Sequence, residues 1–283
     1  MGSAIIVAMT SRLAFVAGII AAMLMFPPDG WTSPGPSDAI QKGQTFLTNL
    51  FDLDMDLLPE YRGANVYWLF HDNYLAAKVL AVSHPQTAKR IVAAIHREGV
   101  YRSGKIEIIF GEAEKPLPFC EYQLIDVRRA ANKLIRTEVV TDRVLDGWED
   151  YADLLLLASI AETNRPAARK HWGAAMQLWD GNGFLDAAAR YDHRYATYKL
   201  GLALLAASRL SPPAAPPPGL VDRLLSMQDD SGGWITDYDA TGKKIGLANV
   251  ETTCLSILGL KTLPEFGQHP AKTSALDAPA AKR

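Results

Sequence analysis

The sequence predicts an all-α protein, an α/α toroid (a complete or partial α/α barrel) built from helical-hairpin repeats, with a small β-hairpin or irregular insertion around 100–140. Three observations lead there. Three stretches share one layout: a helix end, a polar or glycine-containing turn, an aromatic and an acid, an irregular loop, then an apolar helix rich in small residues. They are 47–82, 175–207 and 224–260, and 146–162 (DGWEDYADLLLLASIAE) reads as a fourth, diverged unit. The helices after the loops are apolar nearly all round (DLLLLASIA, KLGLALLAA, CLSILGL), whereas those before them are striped, as at Ala88, Ile91, Val92 and Ile95. All-round apolar helices are buried and striped ones face water on one side, so their alternation implies an inner and an outer layer closed by repetition.

Composition sets the class. The 283 residues are 48% hydrophobic and 21% charged, which suits one globular domain and excludes a disordered chain or a multi-span membrane protein. Twenty-nine Lys and Arg against 31 Asp and Glu give a net charge of −2, with no long run of one sign, so no nucleic-acid partner is expected. Two cysteines, Cys120 and Cys254, are too few for a disulfide scaffold, and six scattered histidines form no zinc motif; neither metal nor cofactor is expected.

Along the chain, Arg12 precedes the apolar run 13–26 (LAFVAGIIAAMLMF), which passes into PPDGWTSPGPSDA. This is the layout of a signal peptide or a retained signal-anchor plus linker over 1–36; fourteen residues fall short of the roughly 20 a perpendicular span needs. It predicts a protein exported or anchored at the membrane through this segment. The 37–264 body follows, with striped helices at 38–50, 85–97, 166–178 and 220–227; Pro85 and Pro166 stand where a first helical turn tolerates proline. Within 100–140, KIEIIF and CEYQLIDV are short β-prone runs. SPPAAPPPG at 211–219 is a stiff surface connection, and 265–283 lacks apolar periodicity and is expected to be disordered.

The string Gln228-Asp-Asp-Ser-Gly-Gly-Trp234 carries the Gln-x-x-x-Gly-x-Trp pattern, and Asn249-Val-Glu-Thr-Thr253 leads into an apolar helix. Both resemble the QW repeats and inner-helix starts of the superfamily of terpenoid cyclases and protein prenyltransferases, a resemblance of architecture over about 38–263. Their chemistry does not follow. Asp52-Leu-Asp54-Met-Asp56 lacks the Asp-x-Asp-Asp spacing of a cyclase acid, and Cys254 has no companion string for a prenyltransferase zinc.

If the loops before the apolar helices gather at one end, they place Glu60, Tyr61, His71 and Asp72 near Glu149, Asp150 and Asp153, and near Asp186, Tyr195, Tyr198, Asp237, Tyr238 and Glu251. Acids and aromatics around an apolar cup suit a glycan: one carboxyl protonates the leaving oxygen, another acts as base or nucleophile, and aromatics stack on sugar rings. The catalytic candidates are Glu60 and Asp237, at equivalent repeat positions, with Asp186 and Asp150. The substrate-binding candidates are Tyr61, His71, Asp72, Tyr195, Tyr198, Trp234, Tyr238 and Glu251. Asp72, Glu149 and Glu251 also stand where an acid caps a helix, and the tyrosines and tryptophans where they would serve packing. The expected function is a carboxylate-dependent hydrolase or lyase acting on a glycan or similar extended polar substrate; the alternative is a non-catalytic cup binding a lipid, an isoprenoid or a protein.

Overall fold

A computed structural model describes residues 35–264; the expected signal segment, up to residue 34, and the expected tail lie outside them. The all-α toroid is not what the chain builds. The described residues are 47% helical and 19% strand, with two small sheets, so the fold is mixed α/β. The helices run α1 (Pro36–Leu50), α2 (Leu75–Leu80), α3 (Pro85–Arg97), α4 (Ile106–Phe110), α5 (Ala152–Ala161), α6 (Arg165–Gln177), α7 (Ala187–Asp192), α8 (Tyr198–Arg209), α9 (Leu220–Ser226) and α10 (Val250–Leu260). The strands are β1 (Val66–Trp68), β2 (Cys120–Ala130), β3 (Lys133–Val144), β4 (Tyr195–Ala196), β5 (Ile235–Tyr238) and β6 (Lys244–Ala248).

β2 opens on the β-prone run CEYQLIDV, whereas β1, β4, β5 and β6 arise from segments that read as irregular loops. One sheet has the order β1-β3-β2, with β1 parallel to β3 and β2 antiparallel to it. The insertion is thus a long hairpin that recruits a strand from the first repeat rather than a small separate one, and KIEIIF, for all its β-branched residues, forms α4. The other sheet, β4-β5-β6, is antiparallel and joins the second repeat to the third. Strands of two to five residues carry no periodicity of their own; they form because two loop backbones lie side by side and must satisfy their amides.

The apolar helices form the core. α2, α5, α8 and α10 bury most of their residues, and α8 and α10 pack on each other most closely. Glycine sets that approach. A Cβ on Gly201 would lie 2.4 Å from the Leu255 carbonyl oxygen, and one on Gly259 would lie 2.3 Å from that of Gly201. Further along, Thr262 donates to the Leu204 carbonyl at 3.3 Å, so later residues of α8 meet later residues of α10 and the two run parallel. α1, α3, α6 and α9 expose one side.

The repeats persist in the turns between the layers. Asp52, Asp180 and Asp229 each fold a side-chain oxygen back onto amides two or three residues ahead, at 2.8–3.2 Å. In the first two repeats the other carboxyl oxygen takes a tyrosine hydroxyl, Tyr67 on Asp52 at 2.7 Å and Tyr195 on Asp180 at 2.5 Å. In the third, Gln228 Nε2 donates to the Ala39 and Gly232 carbonyls at 2.8 Å each, and Trp234, fully buried, donates from Nε1 to the Leu224 carbonyl at 2.8 Å. The Gln-to-Trp string is therefore a clasp holding α9, α1 and α10 together.

Replacing Gly201 by alanine pushes a methyl group into backbone and is expected to cost about 1–3 kcal/mol or more. Gly173→Ala on α6, where a Cβ meets nothing within 4 Å, is expected to be neutral or to stabilise by up to about 1 kcal/mol. Urea denaturation of the two variants measures the difference.

Candidate functional site

The starts of the buried helices converge, and side chains from neighbouring segments hold them there. Asp186 is fully buried; its Oδ1 accepts from the Ala189 amide at 3.1 Å, capping α7, and its Oδ2 accepts from the Ala152 amide at 3.0 Å, the first residue of α5. Lys199, near the start of α8, forms an ion pair with the same Oδ2, and its Nζ lies 3.9 Å from Asp153 Oδ1. Asp72 plays the corresponding part for α10, accepting from the backbone amide of Glu251. The amide contacts each satisfy an orphan donor at a helix start.

Asp72 sits in a π-helical segment, Leu69–Tyr74, that continues into α2. Extra residues per turn of this kind recur at functional sites. Asn73 fixes it, accepting from the Leu58 amide at 2.7 Å and donating to the Leu58 and Trp68 carbonyls at 3.0 and 2.8 Å. The loop at Glu60 and Tyr61 is tied to α10 by the Val250 amide, which donates to the Glu60 carbonyl at 3.0 Å, and by a bridge from Tyr61 to Asn249. β3 packs on the π-helical segment and brings Glu138 Oε2 to 3.2 Å from His71 Nε2.

These restraints leave a small cavity, about 30 Å³, lined by Lys105, Asp153, Tyr198 and Glu251 and by the apolar side chains of Ile106, Ile109, Leu157, Leu202 and Leu255. It has room for about two water molecules. Tyr198 donates to Asp153 at 3.0 Å. Burial pushes Glu251 up to about 7; Lys105 opposes the rise, while Glu138, Asp153 and Glu60 add to it. A carboxyl at that value holds and releases its proton near neutrality. Asp72 is raised well above the usual carboxylate range by burial and by the charges of Glu251 and Glu60, and Glu138 is raised by burial. Burial and the Lys105 ammonium hold His71 down at about 3, so its imidazole is neutral. Burial, with Asp153 beside it, raises Tyr198 far above the ordinary phenol, which keeps its proton in place.

The other candidates stand elsewhere. Asp237, on β5, is half-buried among Asp192, Arg194 and Lys199 and is raised by burial, whereas Glu60 faces Asp72 and Glu251. Asp150 is exposed in the short 3-10 turn Trp148–Asp150. Asp186 spends both carboxylate oxygens on the contacts described. Tyr195 and Tyr238 stack with centroids 5.4 Å apart and give their hydroxyls to Asp180 and to the Asn182 carbonyl, and Trp234 is sealed in the clasp. Tyr61 lies beside Asn249 at the rim.

Lys105, Glu138 and Lys199 escaped the sequence reasoning. Lys105 opens a run that reads as a strand, Glu138 is one of many polar residues in a hairpin, and Lys199 breaks an otherwise apolar helix, which was the available signal. Among the described residues no group of three or more His, Cys, Asp and Glu side chains is arranged to hold a metal ion. The chain matches no protein-family model, no curated protein and no solved structure.

The raised carboxyls bind protons more tightly in the folded chain than in the unfolded one. Glu251 rises from 4.5 to about 7, so its contribution is present at acid pH and lost as pH climbs through that interval. Stability is expected to fall between pH 4.5 and 7, by at most about 1.4 kcal/mol per pH unit for one proton. Glu251→Gln should flatten the slope in chemical denaturation series run across this range.

Proposed function

We propose that the protein is an acid–base hydrolase, or a lyase, acting on a glycan or similar extended polar substrate where the buried helices begin. The observation that carries this is Glu251: a carboxyl poised near 7, beside a water-sized cavity shared with Asp153 and Tyr198. In hydrolysis the proton of Glu251 passes to the leaving oxygen as the C–O bond breaks. A water in the cavity adds its oxygen to the carbon and yields its proton to Asp153, which Tyr198 holds in place. The crowd of carboxyl groups favours the positive charge that builds on a sugar ring in such a transition state. A cavity of this size does not admit a lipid chain or a whole sugar ring, so the substrate would lie across the mouth and present its scissile bond to it. The apolar run behind Arg12 supports placing this activity on the outer side of a membrane, exported or anchored.

Glu251→Gln and Asp153→Asn are expected to lower kcat on a cleaved oligosaccharide by at least about a hundredfold. In the wild-type protein kcat/KM should fall as pH rises through about 7, where Glu251 loses its proton. Reducing-end and unsaturated-product assays over a panel of polysaccharides measure both; unchanged turnover in the two variants would remove the proposal.

A further inference from the structure

A turn at the edge of the cavity is held by a buried acid that the proposed reaction does not use. Glu107, on α4 and only 3% exposed, accepts from the Ser103 amide at 2.6 Å on one carboxylate oxygen. Its other oxygen accepts from the Ser103 hydroxyl and the Gly104 amide at 2.9 Å each. The turn is also fastened to β3. The Val140 amide donates to the Ser103 carbonyl at 3.2 Å, and Gly104, at φ +88°, lies so close that a Cβ on it would stand 2.4 Å from Val140 Cγ2. Sheltering a carboxylate from water is costly unless donors surround it, and here donors from two neighbouring residues do so.

What this turn carries is Lys105, the one cation among the side chains that line the cavity with Glu251. Its ammonium rests over the Tyr122 ring, 5.0 Å from the centre, and enters no ion pair among the described residues. A lysine stem is long and flexible, so an ammonium stays at a cavity wall only where backbone and tip are both restrained. Glu107 restrains one end and Tyr122 the other. The groups that face Glu251 are Glu60 from its loop, Asp72 from the π-helical segment, Glu138 from β3, Asp153 from α5 and Tyr198 from α8, with Cys254 on α10 itself. None of these is a cation, and Lys199 is held by Asp186, so Lys105 is the ammonium left to answer a negative charge on Glu251.

We propose that Glu107 is a positioning residue: its carboxylate fixes the Ser103-Gly104 turn and so holds the Lys105 ammonium at the cavity wall, where it stabilises the Glu251 carboxylate formed when that acid gives up its proton. This rests on Glu251 being the acid of the proposed reaction and adds what sets its strength. Without the ammonium the carboxylate is less stable, the proton is held to higher pH and the acid is weaker. Glu107 is itself an anion, so its two effects on Glu251 have opposite signs. Removing its charge directly would make Glu251 lose its proton more readily, whereas releasing Lys105 makes Glu251 lose it less readily.

The test is the carboxyl NMR titration of Glu251 in the purified full-length protein and its variants, with glycan turnover measured alongside. Lys105→Met should raise the Glu251 midpoint by at least about half a pH unit. Glu107→Gln, nearly the same shape, should raise it too, and should no longer do so in the Lys105→Met background. Ser103→Ala loosens the same turn while keeping the Glu107 charge; it should shift the midpoint in the same direction, which keeps the test decisive if Glu107→Gln does not fold. A midpoint unmoved in Lys105→Met, lowered or unmoved in Glu107→Gln, or raised equally by Glu107→Gln with and without Lys105, overturns the proposal. If the midpoints move as expected and no glycan is cleaved, the positioning stands and the reaction falls. If cleavage depends on Glu251 while the midpoints stay where they are, the reverse holds.

Discussion

The contact on which the rest depends is the one without side chains, between Gly201 of α8 and Gly259 of α10. Two helices that touch backbone to backbone are locked in relative height and direction. Because α8 and α10 run the same way, Tyr198 and Glu251, each within the first two residues of its helix, open on one cavity. Asp186 then ties α5 to α8, and Asp72 ties the π-helical segment to α10. Four buried helices thus begin in one place. Parallel helix dipoles brought together concentrate positive potential at that end, and the fold answers it with carboxylates.

Those carboxylates divide by what their oxygens already do. Asp186 is saturated by two amides and an ammonium, and it serves the architecture. Asp72 has one oxygen on an amide and the other on no partner among the described residues. Glu251 and Asp153 remain part-exposed on the cavity, where Tyr198 donates to Asp153. The same physical need, anions at helix starts, therefore produces both the rigid frame and the groups free for chemistry, and the difference between structural and chemical acids is one of hydrogen-bond accounting rather than residue type.

How much of this is legible in the sequence follows from which interactions are local. The helices at 38–50, 85–97, 166–178 and 220–227 are visible because their stripes and prolines lie within a single segment, and α1, α3, α6 and α9 occupy nearly those ranges. In the structure Glu60, His71, Asp72, Tyr198 and Glu251 stand near the starts of the apolar helices. CEYQLIDV marks β2, but β1, β4 and β5 are illegible because they have two to four residues and exist only through partners far along the chain. Misreading KIEIIF as a strand concealed Lys105, whose charge acts on His71, Glu138 and Glu251 alike. Asp153 was visible among the acids, yet nothing local ranks it above Asp150; three positions along the helix start separate an exposed turn from the cavity wall.

The central claim is that helix convergence produces a carboxyl whose proton exchanges near neutrality. Carbon-13 NMR titration of the protein labelled at its glutamate carboxyls, with Glu251→Gln to assign the resonance, measures it directly. The account predicts that Glu251 titrates at about 7. Titration near 4.5, the value of an ordinary glutamate, would mean that the pole is solvated and that its carboxylates are helix caps and nothing more.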